Sequence, residues 1–196
     1  MARVRIWIGD HTSGDSVIEK VDKFYQENWD PNNRERHPIE FFRAFNQGRF
    51  FVVEDESEDF IAAAATFSYL ERYTELGATR VLLEGFGIQK ILIWSRIVQE
   101  IAMRPPKEKV FTIVASDNGK SNSSIEKCKF KNWRPRKFGQ EALKISEEKI
   151  KNNSVYAYDH RSLKNIRYTA SSILEIYDRG YIYNKKTGEK IDILFD

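Results

Sequence analysis

Val81-Leu82-Leu83-Glu84-Gly85-Phe86-Gly87-Ile88-Gln89-Lys90-Ile91-Leu92 is a β-like run that turns through two glycines and leaves as a helix. Helical spacing continues through Ile97, Val98, Ile101 and Ala102 to Met103, and Pro105-Pro106 ends it, because a residue before proline avoids the α region. A strand that enters a glycine loop and opens a helix is a phosphate-binding arrangement. The first helical amides lack intrahelical partners, and the dipole places partial positive charge there. Gly85 and Gly87 remove side chains where the backbone must approach an anion closely. Two familiar versions fail: a dinucleotide fingerprint needs glycine or alanine where Lys90 stands, and the triphosphate loop suggested by Gly119-Lys120-Ser121 needs its first glycine at Val114.

Working outward, a β-like run over residues 74–83 leads into the loop, and Val110-Phe111-Thr112-Ile113-Val114-Ala115 reads as a strand buried on both faces. Ser116-Asp117-Asn118-Gly119 then turns the chain into a short helix ending near Phe130. Upstream, Val4, Ile6 and Ile8 alternate as a strand, and Asp15 or Ser16 caps a helix expected to reach Trp29. The loop Asp30-Pro31-Asn32-Asn33 precedes a second helix opened by Pro38 and closed near Gly48. Phe50–Val53 and Phe60–Phe67 form a hairpin whose acidic tip, residues 54–59, lacks the glycine and spacing of a calcium loop. The order predicts the α/β class, an α+β mixed sheet flanked by helices around one central β-α-β unit. In the tail, Gln140–Asn152 reads as a charged helix and Val155–Tyr158 as a closing strand. Tyr181–Asn184 and Ile191–Phe195 read as a hairpin. Expected boundaries are 1–139 for the main domain and 140–196 for a C-terminal extension packed on it.

Composition narrows the function. The chain has 196 residues, 41% hydrophobic and 13% aromatic, enough for a core. A net charge of +3 is too balanced to demand nucleic acid. Cys128 is the only cysteine, and His11, His37 and His160 lie far apart, so a disulfide framework and a metal enzyme are both disfavoured. No leader or membrane-spanning run is visible, and a cytoplasmic protein is the expectation.

Two stretches together resemble the GNAT N-acetyltransferase superfamily. The first is Glu84-Gly85-Phe86-Gly87-Ile88-Gln89, similar to its acetyl-CoA loop. The second is Asn118-Gly119-Lys120-Ser121-Asn122-Ser123-Ser124-Ile125-Glu126-Lys127-Cys128-Lys129-Phe130, similar to its downstream helix motif. The resemblance covers about residues 1–135 and implies a splayed sheet. The strand ending near Leu83 would part from the strand at 110–115, with the pantetheine arm of acetyl-CoA between them. By the same resemblance, backbone at Val81 and Leu83 pairs with that arm, and Gly85, Phe86, Gly87, Ile88, Gln89 and Lys90 hold the diphosphate. Asn118 touches the arm from the other side, and Glu75 is the candidate base, with Glu71 and Tyr73 next. No metal is implied. The implied partners are acetyl-CoA and an unidentified amine, which attacks the thioester directly in a ternary complex.

Three positions depart from the family pattern. Glu84 replaces Arg or Gln; at about 6 Å and an effective dielectric of about 20 its charge would oppose a phosphate by roughly 3 kcal/mol, unless it points into water or is offset by Arg80, Lys90 or Lys120. Gln89 replaces a small residue, and Ile125 stands where many relatives carry a tyrosine acid, with Ser123 and Ser124 as stand-ins. These departures keep open a second reading, an inactive CoA-binding or protein-interaction module. A third reading, nucleic-acid binding, rests on Lys127–Lys137, but Phe130 and Trp133 there suit packing at a helix end and strand start. Cys128 reads as a packing residue rather than a nucleophile. Six tail tyrosines suit packing against the domain, with an acceptor site or a homodimer surface as alternatives.

Overall fold

Both faces of the hairpin at Phe50–Val53 and Phe60–Phe67 are apolar because both are covered. A computed structural model, which describes residues 3–10, 12–28, 36–69, 73–103, 109–133 and 152–196, shows the covering elements. In chain order they are β1 (Arg3–Gly9), α1 (Asp15–Glu27), α2 (Pro38–Asn46), β2 (Phe50–Asp55), β3 (Phe60–Tyr69), β4 (Tyr73–Val81) and α3 (Ile88–Met103). There follow β5 (Lys109–Ala115), α4 (Gly119–Lys127), β6 (Phe130–Asn132), β7 (Asn153–Tyr158), α5 (Leu163–Arg179), β8 (Tyr181–Tyr183) and β9 (Lys190–Phe195). The strands form one mixed sheet in the order β6-β7-β5-β4-β3-β2-β1-β9-β8, with β4–β5 and β1–β9 parallel.

Side-chain alternation sorts the core into two layers. Phe50, Val52, Ala63, Ala65 and Phe67 pack against Val21, Phe24 and Tyr25 of α1 and Ala44 and Phe45 of α2. Phe51, Val53, Ala62 and Ala64 belong to the opposite layer with Ile88, Ile91, Leu92 and Ile97 of α3. Alanine at four successive β3 positions keeps that strand thin, which lets the layers close on it.

Several boundaries differ from expectation. The α1 N-cap is Gly14, with no side-chain cap from Asp15 or Ser16, and the described helix stops at Glu27, so Trp29 and the 30–33 loop lie outside the described residues. The α2 start is set by His37, whose ring accepts from Ile39 N while Glu40 accepts from the His37 amide, a capping box ahead of Pro38. β4 ends at Val81 rather than Leu83: Leu82 N still reaches Ile61 O of β3 at 2.8 Å, and the chain bends at Leu82 and Leu83. The expected 140–152 helix, up to residue 151, and the Pro105-Pro106 stop also lie outside the described residues.

The tail joins the same sheet: β7 pairs with β5 from Val110 to Ala115, and β9 lies parallel to β1. Between them, α5 is a 17-residue helix absent from the sequence expectation. Its signals were present as Ser162, which caps Asn165 N, and Gly180 in the left-handed conformation (φ +71°) at its end.

Candidate functional site

β4 and β5 pair only at Tyr73–Lys109, Thr74–Val110 and Glu75–Phe111, and then part. Two devices end the ladder. The Thr112 hydroxyl donates to Leu76 O at 2.8 Å, occupying the carbonyl where pairing would have continued. Beyond it, β4 bulges: Ala63 and Ala65 of β3 face Arg80 and Gly77, so Ala78 and Thr79 together span one partner position, with Ala78 at φ +47°.

The bulge is pinned from α3. Arg96 is fully buried, and its Nη1 donates to Ala65 O (2.9 Å) and Gly77 O (3.1 Å). Its Nη2 donates to Thr79 Oγ1 at 2.9 Å, and Nε donates to Leu92 O at 3.0 Å. From the opposite layer the Tyr25 hydroxyl donates to Ala78 O. Burial lowers the Arg96 pKa to about 10, which leaves it a cation at neutral pH.

On the α3 side of the parted strands is a cleft of about 690 Å³. All nine residues that the resemblance assigned to the co-substrate line it: Val81, Leu83, Gly85, Phe86, Gly87, Ile88, Gln89, Lys90 and Asn118. Gly85 and Gly87 both hold positive φ (+90° and +78°), which favours glycine. The first bonds into α3 are Lys90 N and Ile91 N to Gly87 O, and among the described residues the amides from Gly85 to Gln89 meet no protein acceptor. Gly85 differs from expectation in its neighbour: a Cβ there would meet Asn184 Nδ2 at 2.5 Å, so the gap admits the C-terminal hairpin.

The departures find partners across the cleft. Glu84 points into water and pairs with Lys120 at 2.9 Å, and its pKa is lowered by that hydrogen bond and charge. Gln89 Nε2 reaches Ser121 Oγ at 3.3 Å, tying the α3 start to α4. Asn118 caps α4, its Oδ1 accepting from Ser121 N at 3.0 Å. Ile125 is core, while Ser124 lines the cleft.

Glu75 is not part of the cleft lining. It is 2% exposed and ion-paired with Arg36, with Phe67 alongside at Gly77, so it lies toward the α1–α2 layer at the last paired residue before the strands part. Tyr73 stacks on Trp133, and Glu71 lies outside the described residues. Burial pushes the Cys128 thiol up to about 12. Phe130 packs on Tyr158 and Trp133 on Phe111, while residues 134–137 of the basic run lie outside the described residues. Of the tail tyrosines, Tyr158 is buried against Thr169 Oγ1 (2.9 Å), and Tyr168 and Tyr183 line the cleft. The β8–β9 hairpin was expected and is present, but its place in this second wall beside α5 was not foreseen, because α5 itself was missed.

Among the described residues no helix is long and apolar enough to cross a membrane. No family model and no curated protein matches the sequence. Solved structures do. An N-acetyltransferase of Staphylococcus aureus Mu50 aligns with TM-score 0.56 at 14% identity, over 83% of this chain and 99% of that one. NAA60 of Arabidopsis thaliana, solved with acetyl-CoA, aligns with TM-score 0.56 at 14% identity, over 79% and 98%. Rv2747 of Mycobacterium tuberculosis, solved with CoA, gives 0.54 at 15%, over 72% and 93%. The shared property at these identities is the fold.

Proposed function

Because the chain has the GNAT fold, we propose that it is an acyl-CoA-dependent N-acyltransferase that moves an acetyl group from acetyl-CoA to an amine. The observation that carries this reading is the cleft between the end of β4, α3, α4 and α5, beyond the point where β4 leaves β5, roofed by unpaired amides at the α3 start. Val81 and Leu83 backbone would pair with the pantetheine arm, and Gly85, Phe86, Gly87, Ile88, Gln89 and Lys90 would take the diphosphate. Asn118, its side-chain oxygen committed to the α4 cap, would meet the arm from the facing side. Acetyl-CoA supplies the thioester. The amine nitrogen forms a bond to the acetyl carbon and gives up a proton to a base, the carbon–sulfur bond breaks, and the thiolate takes up a proton to leave as CoA thiol.

The pinned bulge gives this chemistry a rigid edge, since Arg96 holds the Gly77 carbonyl and the Thr79 hydroxyl and Tyr25 holds the Ala78 carbonyl. Glu75 remains the candidate base: it sits on the layer opposite the cleft, so an amine entering from that side would meet the thioester through the gap. Its ion pair with Arg36 makes water the natural relay.

The test is release of free thiol from acetyl-CoA across a panel of polyamines, peptide N-termini and lysine peptides. Amine-dependent release that falls about a hundredfold or more in Glu75→Gln supports the reading. Acetyl-CoA binding without release from any amine favours the inactive module, which the loss of a tyrosine at Ile125 supports.

A further inference from the structure

The C-terminal hairpin stands against the glycine loop by construction. Asn184 fills the space that Gly85 leaves, and it is itself held, because its carbonyl accepts from Gly188 N (2.8 Å) and its Oδ1 from Lys186 N (3.0 Å). Asn184 N donates to Glu189 O at 2.8 Å, so a closed turn presents the next residue, Lys185. Lys185 lines the same cleft as Lys90, whose Cε lies 3.5 Å from where a Gly87 Cβ would be.

Other cations on this wall have counter-charges: Lys120 pairs with Glu84 at 2.9 Å, and Arg179 with Glu175 at 3.6 Å. Neither Lys90 nor Lys185 pairs with a carboxylate among the described residues. Two lysines from separate elements thus line one cleft without a carboxylate partner among the described residues, Lys90 with its ammonium 5.8 Å from the Trp94 ring centroid. Their proximity registers on Lys90, whose pKa is lowered first by burial and then by Lys185. Trp94, 8% exposed and lining the same wall, has an indole N–H with no acceptor among the described residues. Unpaired loop amides, with Lys90 beside them and Lys185 on the hairpin, suit a ligand group bearing more than one negative charge.

We propose that Lys185 of the C-terminal hairpin and Lys90 of α3 form a clamp on the diphosphate of the acyl-CoA nucleotide, Lys90 from beside the loop amides and Lys185 from the hairpin wall. The inference rests on the co-substrate reading above and adds to it a role for the extension: the hairpin completes the phosphate site.

The full chain is titrated calorimetrically with acetyl-CoA and, separately, with inorganic diphosphate. Lys185→Glu is expected to weaken both by about thirtyfold, and Lys185→Arg to stay within about threefold of wild type. Lys164→Glu makes the same change in net charge on the exposed first turn of α5 and is expected to bind like wild type. Lys185 is an exposed turn residue, and matching thermal melts will show that its variants fold. Unchanged acetyl-CoA affinity in Lys185→Glu, or an equal loss in Lys164→Glu, overturns the clamp. Wild-type protein that binds no acetyl-CoA overturns the co-substrate reading instead.

Discussion

β1 and β9 pair in parallel over Arg3–Ile6 and Asp192–Phe195, and their ladder runs on, with Asp196 N donating to Ile6 O at 2.9 Å. β4 and β5, also parallel, hold together for three residues and then separate. At the first pair a backbone amide continues the series; at the second a side-chain hydroxyl, that of Thr112, takes the carbonyl of Leu76. The first pair is tied at its edge by Arg5, half-exposed between Glu54 and Asp196. The second parts beside a bulge whose carbonyls at Ala65 and Gly77 are taken by Arg96, which has no exposure. A parallel pair therefore does not make a cleft; a bulge with a buried cation behind it does.

This contrast can be broken by substitution. Arg96→Met would strand the carbonyls of Ala65 and Gly77 and the Thr79 hydroxyl, at a cost of about 3 kcal/mol or more of unfolding free energy. Arg5→Met, at the exposed pair, is expected to cost about 0.5 kcal/mol or less. Urea denaturation of both variants measures the difference, and equal losses would remove the special role of the bulge. Thr112→Val keeps the shape but removes the donor to Leu76 O, for an expected loss of about 1 kcal/mol in the same assay. Glu84→Gln sharpens the electrostatics: its pair with Lys120 is exposed, so stability should barely change, while removal of a negative charge beside the loop tightens acetyl-CoA binding about threefold by calorimetry.

The sequence made the Gly85–Gly87 turn, α3 and the β2–β3 hairpin legible, because each depends on local periodicity or a short motif, while the parting of β4 from β5 was implied by the family resemblance alone. It did not reveal what holds the strands apart. Arg96 sits in an apolar helix where a lone arginine reads as a surface residue, and its partners at 65, 77 and 79 are distant in sequence. Glu75 was legible as a strand carboxylate but not as the buried partner of Arg36, a pairing that only tertiary packing creates. The α5 helix was hidden by its polar exposed face, although Ser162 and Gly180 mark its ends. With it went the position of the expected hairpin against the cleft, so the nine cleft residues taken from the family motifs describe only the nearer side of the site.

Calorimetric titration of acetyl-CoA into wild-type protein and Gly87→Asp tests the central claim most directly. The variant puts a carboxylate on a residue at φ +78° beside the open amides of the loop. Saturable one-site binding by wild type that weakens about a hundredfold in the variant is the expected result. Binding of equal strength in both proteins would contradict the account, since the diphosphate would then lie somewhere other than the loop that opens α3.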